Sequence, residues 1–76
     1  MNNLKFIRTK KGIIRKELSE KSGINIRTIE GYEQGYRDIE MAYIDTLLSL
    51  SIALDCKISD LLENEETIEK CKQARL

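Results

Sequence analysis

Side chains suited to hydrogen bonding with nucleic acid cluster between residues 15 and 37. Arg27 carries a planar guanidinium, whose fork can bond the O6 and N7 atoms on the edge of a guanine base. Glu30 could accept a hydrogen bond from cytosine N4, or could pair with Arg27 or face solvent. Arg15 and Arg37 flank these residues, and arginine binds phosphate groups well. The spacing therefore favours a surface in which base contacts lie between phosphate contacts.

Other chemistries find little support in the sequence. The chain has no His and only two Cys, Cys56 and Cys71, so we expect no metal site and two free thiols. It has neither a phosphate-binding loop nor a nucleophile–base pair, so we predict no enzymatic activity and no cofactor. No apolar run approaches the roughly 18 residues of a membrane span, and the N-terminus lacks an apolar signal core. We therefore expect a cytoplasmic protein that has no membrane partner.

Charge is distributed unevenly along the 76 residues, although the chain is neutral overall. Residues 1–37 carry nine Lys or Arg and four acidic residues, whereas residues 38–76 carry four and nine. A neutral total argues against general affinity for nucleic acid. The basic half surrounds the residues discussed above and favours a local phosphate-binding face, although solvated surface charge would give the same count.

A helix, a glycine corner and a second helix are predicted to position these side chains. The first helix, over residues 15–22, must stop at Gly23, in a conformation that typically needs positive φ. Asn25 follows as the N-cap of the second helix, which is expected over residues 26–34. Apolar residues at compatible spacing give the two helices a shared buried seam: Leu18, Ile24 and Ile29. So tight a corner leaves the second helix protruding, which is the geometry of a helix that enters the major groove of DNA.

The helical period divides the second helix into two faces. With Ile29 inward, Tyr32 and Glu33 also turn inward, and a buried carboxylate needs a partner. Arg8 is the best candidate for that partner. The opposite face carries Arg27, Glu30, Gly31 and Gln34, with Ile26 on its flank within reach of a thymine methyl group. Gly31 costs about 1 kcal/mol relative to alanine within a helix, so it either allows close approach of DNA or is an incidental surface glycine.

Helical periodicity extends over the rest of the chain, which has no Pro and no alternating strand pattern. We predict further helices over residues 3–11, 42–54 and 58–62, with a loop at 36–40 in which Asp38 could cap the next element. Residues 64–76 form a polar tail that is either disordered or a helix capped near Thr67. The shared core is predicted to contain Leu4, Ile7, Leu18, Ile24, Ile29, Ile44, Leu47, Leu50 and Leu54.

Two stretches of the chain resemble the Cro- and phage-repressor-type helix-turn-helix family, also called the XRE family. The first is LKFIRTKKGIIRKELSEKSGINIRTIEGYEQG from Leu4 to Gly35, and the second, weaker one is TLLSLSIALDCKISDLL from Thr46 to Leu62. The resemblance implies an all-α, compact five-helix domain of the lambda-repressor type. Here that domain would be residues 1–63, with the motif at about 15–35, followed by the short tail at 64–76. The resemblance also implies binding of double-stranded operator DNA, usually as a homodimer.

The family's DNA-binding positions are carried over to this chain one at a time. Arg15 stands where relatives use a glutamine that grips phosphate, and Ile14 takes their polar capping position, which weakens that cap by about 1 kcal/mol. Gly31 removes a side chain that many relatives use to read a base, so selectivity would rest on Ile26, Arg27 and DNA shape. The predicted DNA-binding residues are Arg15, Asn25, Ile26, Arg27, Thr28, Glu30, Gly31, Gln34, Tyr36 and Arg37.

Two functions fit these expectations. The first is sequence-specific regulation of transcription, most simply repression. The second is that of an antitoxin, whose acidic tail from Glu63 onward would bind a toxin or another protein partner, although a solvated tail has the same composition. For a homodimer, the nearest spare apolar surface is predicted on the last core helix and the tail, at Leu61, Leu62 and Ile68.

Overall fold

Helices make up the regular structure of residues 3–76, which are the residues that this computed structural model describes. The all-α prediction is confirmed, because these residues form six α-helices and no strand. The helices are α1 (Asn3–Lys10), α2 (Arg15–Ser22), α3 (Ile26–Gln34), α4 (Ile44–Leu54), α5 (Ile58–Leu61) and α6 (Glu65–Gln73). Among the described residues, no helix has the length and apolar character needed to cross a bilayer.

The segment between α3 and α4 contains a 3₁₀ turn, Ile39–Met41, where the sequence predicted a loop. Asp38 caps this turn as expected, since its Oδ1 accepts a hydrogen bond from the backbone N–H of Glu40 at 3.0 Å. Ala42 and Tyr43, which follow the turn, have extended backbone, so α4 begins at Ile44 and not at the predicted Ala42.

The core lies between two groups of helices. On one side α2 packs against both α3 and α4, and on the other side α1 packs against α5. Most of the predicted core is confirmed as buried: Leu4, Leu18, Ile29, Leu47, Leu50 and Leu54. Ile7 and Ile24 are half-buried and pack against that cluster. Tyr32 is also buried, as its predicted inward position on α3 requires. Four further core residues were absent from the predicted core: Ile39, Ile58, Leu61 and Leu62.

The predicted burial of Ile44 is wrong, because 55% of this residue is exposed. The inner face of α4 is set by Leu47, Leu50 and Leu54, which are almost fully buried. At 100° per residue, Ile44 lies about 120° from Leu50 around the helix, and it occupies the first turn. Ile44 is apolar and its spacing fits the helical period of α4, but its side chain lies beyond the edge of the core.

The tail is a helix, which decides between the two alternatives left open by the sequence. Asn64 caps α6, because its Oδ1 accepts a hydrogen bond from the backbone N–H of Thr67 at 3.0 Å, so the cap predicted near Thr67 is wrong by one turn. Ile68 and Cys71 are half-buried and pack on the core. The apolar side of α6 is therefore turned toward the rest of the domain.

The surface predicted for dimerisation is not available in full. Leu61 and Leu62 are 1% and 2% exposed, because α5 is held between α1, α4 and α6. The segment between α5 and α6 is also tied to the 3₁₀ turn: Glu40 Oε1 accepts hydrogen bonds from the backbone N–H groups of Glu63 at 2.6 Å and Asn64 at 3.0 Å.

Candidate nucleic-acid interface

The corner between α2 and α3 is built by backbone geometry and one small side chain. Gly23 has a φ of 74°, which only glycine adopts readily, and its N–H donates to Ser19 O at 2.9 Å. The Ser19 hydroxyl donates across the corner to Ile24 O at 2.7 Å. Asn25 then starts α3 as predicted, with its Oδ1 accepting from the backbone N–H of Arg27 at 2.8 Å. These bonds fix the direction in which α3 leaves the corner.

The start of α2 lacks a side-chain acceptor at its capping position. Ile14 is 58% exposed and has no polar side-chain atom. Glu17 makes the reciprocal hydrogen bond of a capping box, in which its Oε1 accepts from the backbone N–H of Ile14 at a long 3.5 Å. The first N–H groups of α2 therefore remain available to another acceptor, such as a phosphate oxygen.

Glu33 ties α3 to α1 and α2 through two arginines. Arg8 binds both carboxylate oxygens, with Nε–Oε2 at 2.6 Å and Nη2–Oε1 at 3.1 Å, and its Nη1 donates to Ile13 O at 2.8 Å. Arg15 adds a third contact, from Nε to Glu33 Oε1 at 2.9 Å. The predicted Arg8–Glu33 pair is therefore confirmed, and Arg15 is a further member that the sequence did not indicate.

The charge balance of this cluster is set by competition between burial and ion pairing. The Glu33 side chain is 0% exposed, and burial alone would raise the pKa of its carboxyl. The hydrogen bonds from Arg8 and Arg15, together with their positive charges, outweigh burial and hold the pKa of Glu33 below its ordinary value. The carboxylate is therefore ionised at neutral pH, and the cluster carries one net positive charge.

Arg15 belongs to both the structural cluster and the surface. Its side chain is 29% exposed, and only its Nε contacts Glu33. Its two terminal amino groups have no hydrogen-bond partner among residues 3–76. Glu33 therefore orients a guanidinium whose outer edge can still bind an anion at the start of α2.

The outer face of α3 presents side chains that the fold does not use. Arg27 and Gln34 are exposed, and neither side chain has a hydrogen bond or ion pair within the described part of the chain. Glu30 is half-buried and forms no ion pair with Arg27, so the local pairing considered from the sequence does not occur. The remaining predicted site residues around this face are Asn25, which is exposed, Ile26, which is 38% exposed, and Thr28, which is half-buried.

Gly31 does not lie bare on the outer face, so that expectation is wrong. The residue is buried because the side chain of Arg37 crosses it. A Cβ at position 31 would meet Arg37 Cδ at 2.9 Å, Cγ at 3.0 Å and Nε at 3.3 Å. The chain returns to this point because Gly35 ends α3 and the Arg37 N–H donates to Gly31 O at 3.1 Å.

The two predicted residues that follow α3 differ in their surroundings. Tyr36 is 83% exposed, so its ring and hydroxyl project from the surface. Arg37 is also exposed, but its stem is packed on α3. In the sequence, only the presence of Gly31 within a helix pointed to this packing, and it did not show that Arg37 would cover the glycine.

The fold, the glycine corner and the exposed helix α3 define a helix-turn-helix protein. A family model for the Cro/C1-type HTH DNA-binding domain matches residues 3–66, so the chain belongs to that family. This finding confirms the family expected from the sequence and establishes DNA binding as the role of the domain. Searches of curated proteins and of solved structures found no match.

Proposed function

We propose that this protein is a sequence-specific regulator of transcription, acting as a repressor, that places α3 in the major groove of operator DNA. The observation that carries the proposal is the guanidinium of Arg27, which is exposed and has no partner in residues 3–76. It lies on a helix whose other face is fixed by Ile29 and Glu33. A helix that is held by its inner face and presents an arginine without an intramolecular partner is suited to contact guanine O6 and N7.

The surrounding residues divide into base contacts and phosphate contacts. Ile26, at the exposed start of α3, is suited to a thymine methyl group, and Glu30 lies one turn further along the same side. Thr28 lies on the opposite flank of α3, near the expected path of the DNA backbone. Arg15 offers its free amino groups at the start of α2. Asn25 uses its Oδ1 as a helix cap, which leaves its amide N–H groups for phosphate. Gln34 and Tyr36 are exposed at the far end of α3 and complete the phosphate contacts on that side.

We propose further that two copies bind one operator through a surface on α4. Ile44, Leu48 and Ile52 are 55%, 38% and 79% exposed, and their spacing of four residues places them in one stripe. The stripe is evenly spaced about Leu48. Two antiparallel copies related by a twofold axis could therefore place each end of one stripe against the opposite end of the other. This surface replaces Leu61 and Leu62 as the proposed contact.

The dimer is tested by sedimentation with and without operator DNA. Ile52→Glu should shift the chain toward monomer and weaken operator binding, because it places a charge within the apolar contact, opposite Ile44 of the other copy. Glu65→Lys, on the exposed side of α6, serves as the matched surface control. Unchanged association of Ile52→Glu would remove α4 as the interface.

The antitoxin function remains the alternative, but no observation favours it over regulation. Because Ile68 and Cys71 pack on the domain, a toxin would have to bind the polar outer side of α6, which carries Glu65, Glu66 and Glu69. Replacement of Glu65, Glu66 and Glu69 by glutamine would separate the two functions, since operator recognition by α3 does not use this outer side of α6.

The regulator proposal is tested by selecting binding sites from random duplex DNA. A preferred sequence should emerge and should bind at least about 10³-fold more tightly than a scrambled duplex at the same salt concentration. If all duplexes bind with equal affinity, the domain binds DNA without sequence preference and cannot be an operator-specific repressor.

A further inference from the structure

Arg37 and Gly31 form a packed pair on the DNA-facing helix. The Arg37 stem lies across the backbone of Gly31, so close that a Cβ there would be 2.9 Å from Cδ. The backbone of the two residues is also joined, by the Arg37 N–H to Gly31 O hydrogen bond at 3.1 Å. The glycine is therefore required by the path of the arginine, and it is not an incidental surface residue.

The pair lies on the same side of α3 as Arg27. Gly31 follows Arg27 by four residues, which places the two positions one turn apart on one helical face. Arg37 Nε lies 3.3 Å from the Cβ position of Gly31, so the guanidinium itself begins at this face. Arg37 is exposed and its side chain has no ion-pair or hydrogen-bond partner in the described residues.

We propose that Arg37 is a base-reading residue, which acts from the position on α3 that Gly31 leaves vacant. Its guanidinium contacts a guanine edge in the major groove, next to the base pair that Arg27 contacts. This assignment rests on the proposed function and sharpens it, because it adds to Ile26 and Arg27 a specificity residue that comes from outside the recognition helix. Arg37 was expected from the sequence to bind phosphate only.

The packing of the stem distinguishes this role from that of a flexible phosphate contact. A guanidinium on a free stem can follow any nearby phosphate, whereas a stem held against the helix backbone fixes the direction of the fork. A fixed fork is what bidentate bonding to O6 and N7 requires. Lysine carries the same charge without the fork, and it therefore separates the two roles experimentally.

The test compares Gly31→Ala, Arg37→Ala and the double variant on the selected site and on a scrambled duplex. Gly31→Ala should leave the fold at least as stable, because alanine favours the helix and the exposed arginine can swing away. Each single variant should lose about 5- to 150-fold in affinity for the selected site and relax the preference at one base pair. The double variant should lose no more than either single variant, because both remove the same contact.

Arg37→Lys is the matched control. If Arg37 reads a base, Arg37→Lys should bind scrambled DNA about as well as the wild type but should not recover the base preference. If lysine restores the preference, or if Arg37→Ala weakens selected and scrambled duplexes equally, Arg37 binds phosphate and the proposal is overturned. Independent, multiplying effects of the two single variants would also overturn it. A wild-type chain that selects no sequence would instead reject the proposed function itself.

Discussion

The two faces of α3 use arginine in opposite ways. On the inner face, Arg8 and Arg15 are held by the buried Glu33 carboxylate at 2.6 and 2.9 Å. On the outer face, Arg27 and Arg37 are exposed and have no acidic partner among the described residues. The same side chain therefore fixes the helix on one side and remains available to a ligand on the other.

The comparison shows why the number of basic residues is a poor guide to the interface. Nine basic residues lie in residues 1–37, but Arg8 is buried and already neutralised by Glu33. Arg15 is intermediate, because its Nε is engaged and its amino groups are not. Changes on the inner face should therefore alter stability, and changes on the outer face should alter DNA binding.

The largest expected effect is that of Glu33→Gln on the inner face. The variant leaves the buried guanidinium of Arg8 without a counter-charge, so the free energy of unfolding should fall by about 3–5 kcal/mol. Denaturant unfolding measures this loss. The control is the exposed Glu20→Gln, which should change stability by less than about 0.5 kcal/mol. Similar stabilities of the two variants would contradict the role given to the cluster.

A second pair of variants compares apolar residues on the two faces. Ile29 is 0% exposed and Ile26 is 38% exposed on the same helix. Ile29→Ala should reduce the free energy of unfolding by about 2–5 kcal/mol, because it leaves a cavity in the core. Ile26→Ala should cost less than about 1 kcal/mol in stability and should lower affinity for the selected DNA site. Equal destabilisation would show that the faces are not distinct.

The pH dependence of stability gives a smaller effect with a defined sign. The pKa of Glu33 is lower in the folded protein than the ordinary value of about 4.3 in the unfolded chain. Its stabilisation is therefore fully present above that ordinary value and is lost as the pH falls through the folded pKa. The difference in unfolding free energy between wild type and Glu33→Gln should shrink in that range. A difference that is unchanged down to pH 3 would argue against an ionised Glu33 in the cluster.

The inner face of α3 could be predicted because it follows from local periodicity. Placing Ile29 inward also places Tyr32 and Glu33 inward, and a buried carboxylate then requires a cation. Arg8 was identified in this way. Arg15 was not added to it, because the approach of α2 to Glu33 depends on the angle of the corner, which the sequence does not specify.

The outer face could be predicted less well, because part of it comes from another segment. Periodicity assigned Gly31 to the outer side of α3, but the path of the chain after Gly35 brings Arg37 over it, so the residue is buried. Ile44 shows the same limit of prediction from periodicity, because its spacing is that of a core residue but its side chain is exposed. Contacts between segments joined by an irregular turn depend on tertiary geometry more than on local pattern.

The most direct test of the central assignment is the effect of Arg27→Ala on selected and scrambled DNA, measured over a range of salt concentrations. Because Arg27 is exposed on α3 and unpaired among residues 3–76, the loss should be about 1–3 kcal/mol on the selected site. Scrambled DNA should lose little affinity, and preference should relax at one base pair. Equal losses on both duplexes, with a salt slope reduced by about 1, would show that Arg27 binds phosphate and that the outer face of α3 does not read sequence through it.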